Sequence, residues 1–134
     1  MQGLGFIPVG RKYSLWSIVL LCLIGCGLAL ARVDLDKMQN LALSRYGPYT
    51  EQTVIEWRGL IDHIAPLSDQ QKLLKVNDFF NRRVAWVEDM RNWGQNDYWA
   101  TPLETMARRQ GDCEDFSIAK FTTLLLSGVD MDKL

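Results

Sequence analysis

The chain has 134 residues; 48% of them are hydrophobic, 23% are charged, and the formal net charge at pH 7 is −1. This composition excludes an intrinsically disordered protein and leaves room for one globular domain. Because lysine and arginine are scattered and form no basic stripe, the sequence also argues against a nucleic-acid-binding protein.

The N-terminal region has the organisation of an export signal. Two basic residues precede the apolar run LWSIVLLCLIGCGLALA, and its end, residues 29–31, offers the small side chains that a signal peptidase accepts. We therefore predict a secretory signal over residues 1–31 and an exported domain, outside the cytoplasm, over residues 32–134. Two alternatives stay open. The letters LIGC at 23–26 resemble a lipoprotein box, and the apolar run is long enough to stay uncleaved as a short membrane anchor.

Cysteine usage singles out one thiol. Cys22 and Cys26 lie inside the predicted signal, so Cys113 is the only cysteine of the exported part. An unpaired cysteine in an oxidising compartment is either a buried, inert thiol or a reactive one. The residues around Cys113 must decide between these interpretations.

After residue 31 the spacing of apolar residues predicts a series of helices. The first three run from Asp34 to about Tyr46, from Thr50 to Pro66, and from Ser68 to about Asp89. The letters SDQQ at the start of the third helix form a capping box. No strand-like alternation of apolar and polar residues appears between residues 34 and 134.

The sequence continues with a loop and two further helices. Residues 93–99, WGQNDYW, are predicted to form a turn-rich aromatic loop. Thr101 is predicted to cap a short helix that Gly111 ends. The next helix starts directly afterwards, with Asp112 as its predicted N-cap and Cys113 in its first turn.

The position of Cys113 has opposing electrostatic consequences. The N–H groups of a first helical turn and the helix dipole favour a thiolate, which is the nucleophilic form of cysteine. The carboxylates of Asp112, Glu114 and Asp115 disfavour a negative charge beside them, and several acids within about 6 Å outweigh a helix dipole. A reactive cysteine at this position therefore requires a positive charge that offsets the acids.

A bound cation would provide that charge. Asp112, Glu114 and Asp115 offer hard oxygen ligands within four residues, a set that suits calcium better than zinc, and the chain contains a single histidine. Acidic residues at a helix N-terminus are also ordinary caps and dipole partners. The spacing alone leaves the metal site and the structural interpretation both open.

The segment WGQNDYWATPLETMARRQGDCEDFSIAKFTTLLLSGV resembles the core of the bacterial transglutaminase-like cysteine peptidases, the LapG-type periplasmic proteases. The preceding VNDFFNRRVAWVEDM also fits that family, so the resemblance covers about half of the chain, from about residue 73 to 129. It implies an α+β, papain-like or transglutaminase-like fold in which the nucleophile begins a helix that packs on a following sheet.

Carried onto this sequence, the resemblance implies that Cys113 is the nucleophile and that Asp112 and Glu114 bind calcium, with Asp115 as a third ligand. It implies an endopeptidase that clips the N-terminal region of a large surface adhesin and so disperses a biofilm. It also implies sequestration by an inner-membrane receptor for cyclic di-GMP. Trp99 is a candidate contact for that receptor; the alternative is an aromatic residue of the core or its rim.

The chain departs from the family pattern at its end. The family's general base and the group that orients it are expected on strands downstream of the cysteine, whereas this sequence ends at Leu134 and its one histidine, His63, lies upstream. We therefore expect mainly the helical N-terminal part of the domain, without the following β-sheet, as after truncation, a frameshift or an incomplete gene model.

Three functions remain open at this stage. The first is the peptidase, for which we predict little or no activity of this chain alone because it carries only the nucleophile. The second is a catalytically inactive exported fragment that retains only calcium or receptor binding. The third is transglutaminase chemistry, since transfer of an acyl group from a thioester to an amine uses the same thiol.

Overall fold

The computed structural model describes residues 34–134. The predicted signal over residues 1–31 lies outside the described residues. In chain order the elements are α1 (Leu35–Tyr46), α2 (Pro48–Ile64), α3 (Asp69–Arg83), β1 (Ala85–Trp86), α4 (Asp89–Asn92), α5 (Pro102–Arg108), β2 (Gln110–Gly111), α6 (Cys113–Leu126) and a final 3₁₀ turn (Met131–Lys133). Within the described residues, no helix combines the length and the hydropathy that crossing a bilayer requires.

The first two helices are joined by a single residue. Asp34 caps α1 as predicted, since its Oδ1 accepts the N–H of Lys37 at 2.9 Å. Gly47 then adopts a φ of 86°, a left-handed conformation that glycine reaches without strain, and Pro48 occupies the first position of α2. The second helix therefore begins two residues before Thr50, the predicted start.

The third helix is shorter than predicted. Its capping box between Ser68 and Gln71 is present, but α3 ends at Arg83 rather than near Asp89. The backbone then pairs with a distant segment: the N–H of Ala85 donates to the carbonyl of Arg109 at 2.9 Å, and the N–H of Val87 donates to Gly111 at 3.0 Å. This pairing replaces the hydrogen bonds of another helical turn.

Two short strands result from this pairing, where the sequence predicted none. β1 and β2 are parallel, with Ala85 opposite Gln110 and Trp86 opposite Gly111. Strands of two residues are too short to show a period of two, which is why the expectation of no strand was wrong. Gly111 accordingly lies in β2, and α5 ends instead at Arg108, followed by Arg109 as its C-cap with a φ of 55°.

The core joins α6 to α2 and α3. The large side chains that are fully buried include Trp57 and Ile64 of α2 and Phe80 of α3, and the four-residue spacing of Ala119 and Thr123 turns one face of α6 towards them. Trp57 donates its Nε1–H to Thr123 Oγ1 at 2.8 Å. These contacts fix the helix that Cys113 begins.

Candidate active site

Cys113 is the first residue of α6, as predicted, and its side chain is exposed. β2 runs into the helix through Asp112, so the backbone turns from strand to helix at the thiol. The free N–H groups of the first turn face the N-terminal end of this 14-residue helix, where they favour a thiolate. The interpretation of Cys113 as a buried thiol is therefore wrong, and its role as a nucleophile stays a prediction that this exposed position fits.

Gly111 and Asp115 pack closely at the strand-to-helix junction. If residue 111 had a Cβ, that atom would lie 2.8 Å from Cβ of Asp115 and 2.9 Å from its Oδ2, which is too close for a side chain. Asp115 is fully buried, and its Oδ1 accepts the N–H of Ala100 at 2.8 Å. Burial raises the pKa of Asp115, while the Ala100 N–H favours its charged form. The carboxylate thus ties the end of the aromatic loop to the first turn of α6.

Three other carboxylates converge beside the thiol. Asp89, Asp112 and Glu114 can each place one oxygen within 4.8 Å of the others. Asp112 occupies the N-cap position, but its side chain accepts no helix N–H, contrary to the capping role predicted for it. Burial, a hydrogen bond with Glu114 and the charge of Asp89 raise the pKa of Asp112 to about 6. The cluster is therefore poorly compensated when all its members are ionised.

The unsatisfied atoms of this cluster fit a hard cation. The Oδ1 atoms of Asp89 and Asp112 are buried and have no hydrogen-bond partner among the described residues. Calcium binds carboxylate oxygens at about 2.4 Å, so two oxygens bound to the same ion lie at most about 4.8 Å apart. The three oxygens of this cluster lie within 4.8 Å of one another and meet that requirement. Orphaned oxygens, negative charge and spacing all match a calcium site.

The structure brings together two of the three predicted ligands. Asp112 and Glu114 are in the cluster, and Asp89, which the sequence analysis did not select, joins them from the start of α4. One feature of the sequence could have indicated Asp89: the dipeptide Glu88-Asp89 has the same residues as Glu114-Asp115, which follows Cys113. Asp115 is not part of this cluster: its Oδ1 accepts the N–H of Ala100, its Oδ2 is buried without a hydrogen-bond partner among the described residues, and its role as a ligand stays a prediction.

The aromatic loop packs beside the cluster. Tyr98 donates its N–H to Asp89 Oδ2, and its ring lies 4.3 Å from that of Trp93. Trp99 is 69% exposed and donates its Nε1–H to Asp97 Oδ1 at 2.9 Å. Trp99 is thus not a core residue, and its role as a receptor contact stays a prediction. His63, as expected, is exposed, and in residues 34–134 no hydrogen bond joins it to Cys113.

Comparisons with known proteins agree with this arrangement. The family model of the bacterial transglutaminase-like cysteine proteinases matches residues 62–134. Solved structures of Legionella pneumophila LapG match with 37% sequence identity and a TM-score of 0.62, over 75% of this chain and 54% of theirs. They include a calcium-bound and an EGTA-treated form. No curated protein sequence matches.

The chain spans about half the length of the LapG structures that it matches. Over that part the fold is mostly helical with little sheet, which confirms the predicted transglutaminase-like fold. The family model covers more than half of this sequence and includes Cys113 and the acids around it. This chain therefore belongs to the bacterial transglutaminase-like cysteine proteinases.

Proposed function

We propose that this chain supplies the nucleophile-bearing part of a calcium-dependent cysteine endopeptidase. The observation that supports it most directly is an exposed thiol at the start of a long helix, next to a carboxylate cluster with two buried oxygens that have no hydrogen-bond partner within residues 34–134. Family membership supports the reaction class, and the calcium-bound form of LapG supports the choice of cation.

The thiolate of Cys113 attacks the carbonyl carbon of a peptide bond. The C–N bond breaks as the nitrogen takes up a proton and leaves as the amine, and an acyl thioester remains at Sγ; water then hydrolyses the thioester to release the acid and regenerate the thiol. The N–H groups at the start of α6 stabilise the thiolate before the attack. Asp89, Asp112 and Glu114 would hold a calcium ion, which supplies positive charge that offsets these carboxylates when it is bound.

The proposed substrate is a large surface adhesin that is clipped in its N-terminal region, with biofilm dispersal as the consequence. The proposed regulator is an inner-membrane receptor for cyclic di-GMP, which Trp99 would contact; its 69% exposure supports a role in binding. The proposed location is the periplasm, supported by the signal-like N-terminal sequence.

Thiol alkylation tests the calcium site without requiring proteolysis. Calcium should accelerate alkylation of Cys113 by iodoacetamide, and EGTA should slow it, with the modified residue located by mass spectrometry. Calorimetry should show calcium binding that Asp112→Asn or Glu114→Gln abolishes. Glu88→Gln is the matched control, because Glu88 is exposed and lies outside the cluster. Equal alkylation rates with calcium and EGTA would refute the proposed coupling.

Cleavage of an adhesin fragment tests the substrate. The chain alone should cleave it slowly or not at all, because the described residues place no imidazole in hydrogen-bond contact with Cys113. Any cleavage that does occur should require calcium and disappear in Cys113→Ser. Cleavage at a normal enzymatic rate would contradict the expectation for this chain alone, and cleavage that survives Cys113→Ser would overturn the proposed nucleophile.

A further inference from the structure

Two segments of the sequence share one pattern of charges. RRVAWVED spans residues 82–89 and RRQGDCED spans residues 108–115; each has two arginines, four other residues, and then glutamate and aspartate. The first segment contains β1 and the second contains β2. Because these strands pair in parallel, both arginine pairs lie at their amino ends and both acidic pairs lie at their carboxyl ends.

The four arginines line one open groove, which we call the arginine groove. Its volume is about 520 Å³. Val84, Ala85 and Gln110 line it together with the four arginines, which are Arg82, Arg83, Arg108 and Arg109. Asn81 also lines the groove and accepts a hydrogen bond from Lys120 Nζ at 2.9 Å, which adds a fifth positive charge at its border. Tertiary pairing thus concentrates basic residues that are scattered in the sequence.

Only part of this charge is neutralised. Arg82 pairs with Asp78 at 2.6 Å and Arg83 pairs with Glu56 at 2.9 Å. Among the described residues, Arg108 and Arg109 have no carboxylate partner.

Each of those two arginines instead stacks on an aromatic ring. Arg108 lies 4.5 Å over the ring of Trp93, and Arg109 lies 5.1 Å over that of Tyr49. A guanidinium that stacks through its face keeps the N–H groups of its edge available for carboxylates. The groove therefore presents two preorganised cations with free donors.

The arginine groove is close to the nucleophile along the chain. Arg109 precedes Cys113 by four residues, so their backbones are separated by at most about 14 Å, which a few extended residues of a bound peptide can span. We propose that the arginine groove is a substrate exosite that binds an acidic segment of the polypeptide close to the scissile bond. This inference rests on the proposed peptidase function, since it assumes a polypeptide substrate.

An acidic peptide fits these charges better than a nucleic acid does. The groove offers a few cations at one end of a two-stranded sheet, while the carboxylates at the other end repel a continuous phosphate backbone. A peptide can carry acidic side chains only where the groove is and neutral residues next to Cys113. The charge separation along the sheet therefore also orients the bound peptide, with its acidic segment in the arginine groove and its neutral residues next to Cys113.

Fluorescence anisotropy with a labelled hexaglutamate peptide tests the exosite on the full chain. The peptide should bind, and the affinity should fall as salt is raised. Arg108→Gln combined with Arg109→Gln should weaken binding by about tenfold or more, because both unpaired cations are lost. Arg108→Lys with Arg109→Lys should lose less binding than the glutamine pair, because lysine keeps the charge but not the stacked guanidinium. Arg45→Gln, which removes a charge from α1, should leave binding unchanged.

Several outcomes would overturn the exosite. Equal binding of hexaglutamine, equal loss of binding in Arg45→Gln, or preference for a short oligonucleotide over hexaglutamate would each do so. Failure of the peptidase proposal looks different, because it shows in the calcium dependence of Cys113 alkylation, which does not involve the groove. Calcium-dependent alkylation without hexaglutamate binding would thus reject only the exosite.

Discussion

Gly111 is a residue at which β2 and α6 approach each other closely. A Cβ added to residue 111 would lie 2.8 Å from the Cβ of Asp115, so Asp115 already occupies the space that a side chain there would need. The backbone of Gly111 also accepts the N–H of Val87 at 3.0 Å, so the strand cannot move away without losing a hydrogen bond. A side chain at this position would therefore push Asp115 off Ala100 and displace the first turn of α6.

Gly111→Ala should destabilise the fold by about 1–3 kcal/mol, since the added methyl group meets atoms that cannot yield without breaking the junction. The measurement is equilibrium unfolding in urea. Gly59→Ala is the matched control: Gly59 is exposed in α2, an added methyl group there would meet no neighbouring atom within 4 Å, and the substitution should stabilise by about 0.5–1 kcal/mol through helix propensity. The same sign for both substitutions would contradict this account.

Asp112 makes the stability depend on pH when calcium is absent. Its pKa rises from the ordinary 3.8 to about 6 in the folded state. The folded protein therefore binds this proton more tightly than the unfolded chain, and the stability that protonation contributes is complete below about pH 4 and is lost as the pH rises through about 6. Calcium should bind better above that range, where the carboxylate is ionised.

The test is a series of urea unfolding curves in EGTA between about pH 4 and pH 7. The urea midpoint should fall across this range, and calcium should reverse the fall at its upper end. Asp112→Asn has no proton to lose at that position, so its midpoint should vary less with pH. An unchanged slope in Asp112→Asn would assign the dependence to another group.

At the scale of the elements, one buried hydrogen bond links α2 to α6. Trp57 Nε1 and Thr123 Oγ1 are 2.8 Å apart, and both side chains are fully buried. The Thr123 hydroxyl also donates to the carbonyl of Ala119 at 2.7 Å, so one oxygen serves two elements. The bond fixes α6 on the core near its C-terminal end rather than at its exposed start.

Thr123→Val should cost about 1–3 kcal/mol, because the volume is kept while the indole N–H is left buried without an acceptor. Chemical denaturation measures the loss. Thr122→Val is the matched control: Thr122 is half-buried and makes no side-chain hydrogen bond among the described residues, so its effect should stay within about 0.5 kcal/mol. Equal effects of the two substitutions would show that the indole contact adds nothing.

At the scale of the whole molecule, α6 packs one face on the core, and its other face is exposed among the described residues. Cys113, Ser117, Phe121 and Leu125 are exposed at four-residue spacing and so form a stripe along the helix. Ala119 and Thr123 are buried on the opposite side, and Leu124 is buried near the C-terminal end of the helix. The described core therefore holds the helix by one side and leaves the thiol on the other.

Two adjacent leucines test that division. Leu124 is 5% exposed and Leu125 is 37% exposed. Leu124→Ala should cost about 2–4 kcal/mol because it leaves a cavity in the core, whereas Leu125→Ala should cost less than about 1 kcal/mol. Thermal and urea unfolding of the full chain provide the comparison. A larger loss for Leu125→Ala would mean that the stripe is covered in solution.

Local patterns in the sequence correctly predicted the starts of several helices. The capping boxes at Ser68 and Thr101 each join two residues three positions apart, whose side chains bond backbone groups of the same turn. Such interactions are encoded locally and need no distant partner. The helix beginning at Cys113 was also predicted, although Asp112 makes no capping hydrogen bond. The family resemblance came from the same continuous stretch around Cys113.

Only the tertiary structure decided which distant residues meet. The pairing of Ala85 with Gln110 ends α3 early, brings Asp89 to Asp112 and Glu114, and gathers the arginines into one groove. Two paired residues per strand leave no periodic pattern to read, and charges spaced 26 residues apart give no local sign that they will lie side by side. The sequence by itself thus determined most helix starts and singled out Cys113, whereas contacts between distant segments determined the charges around it.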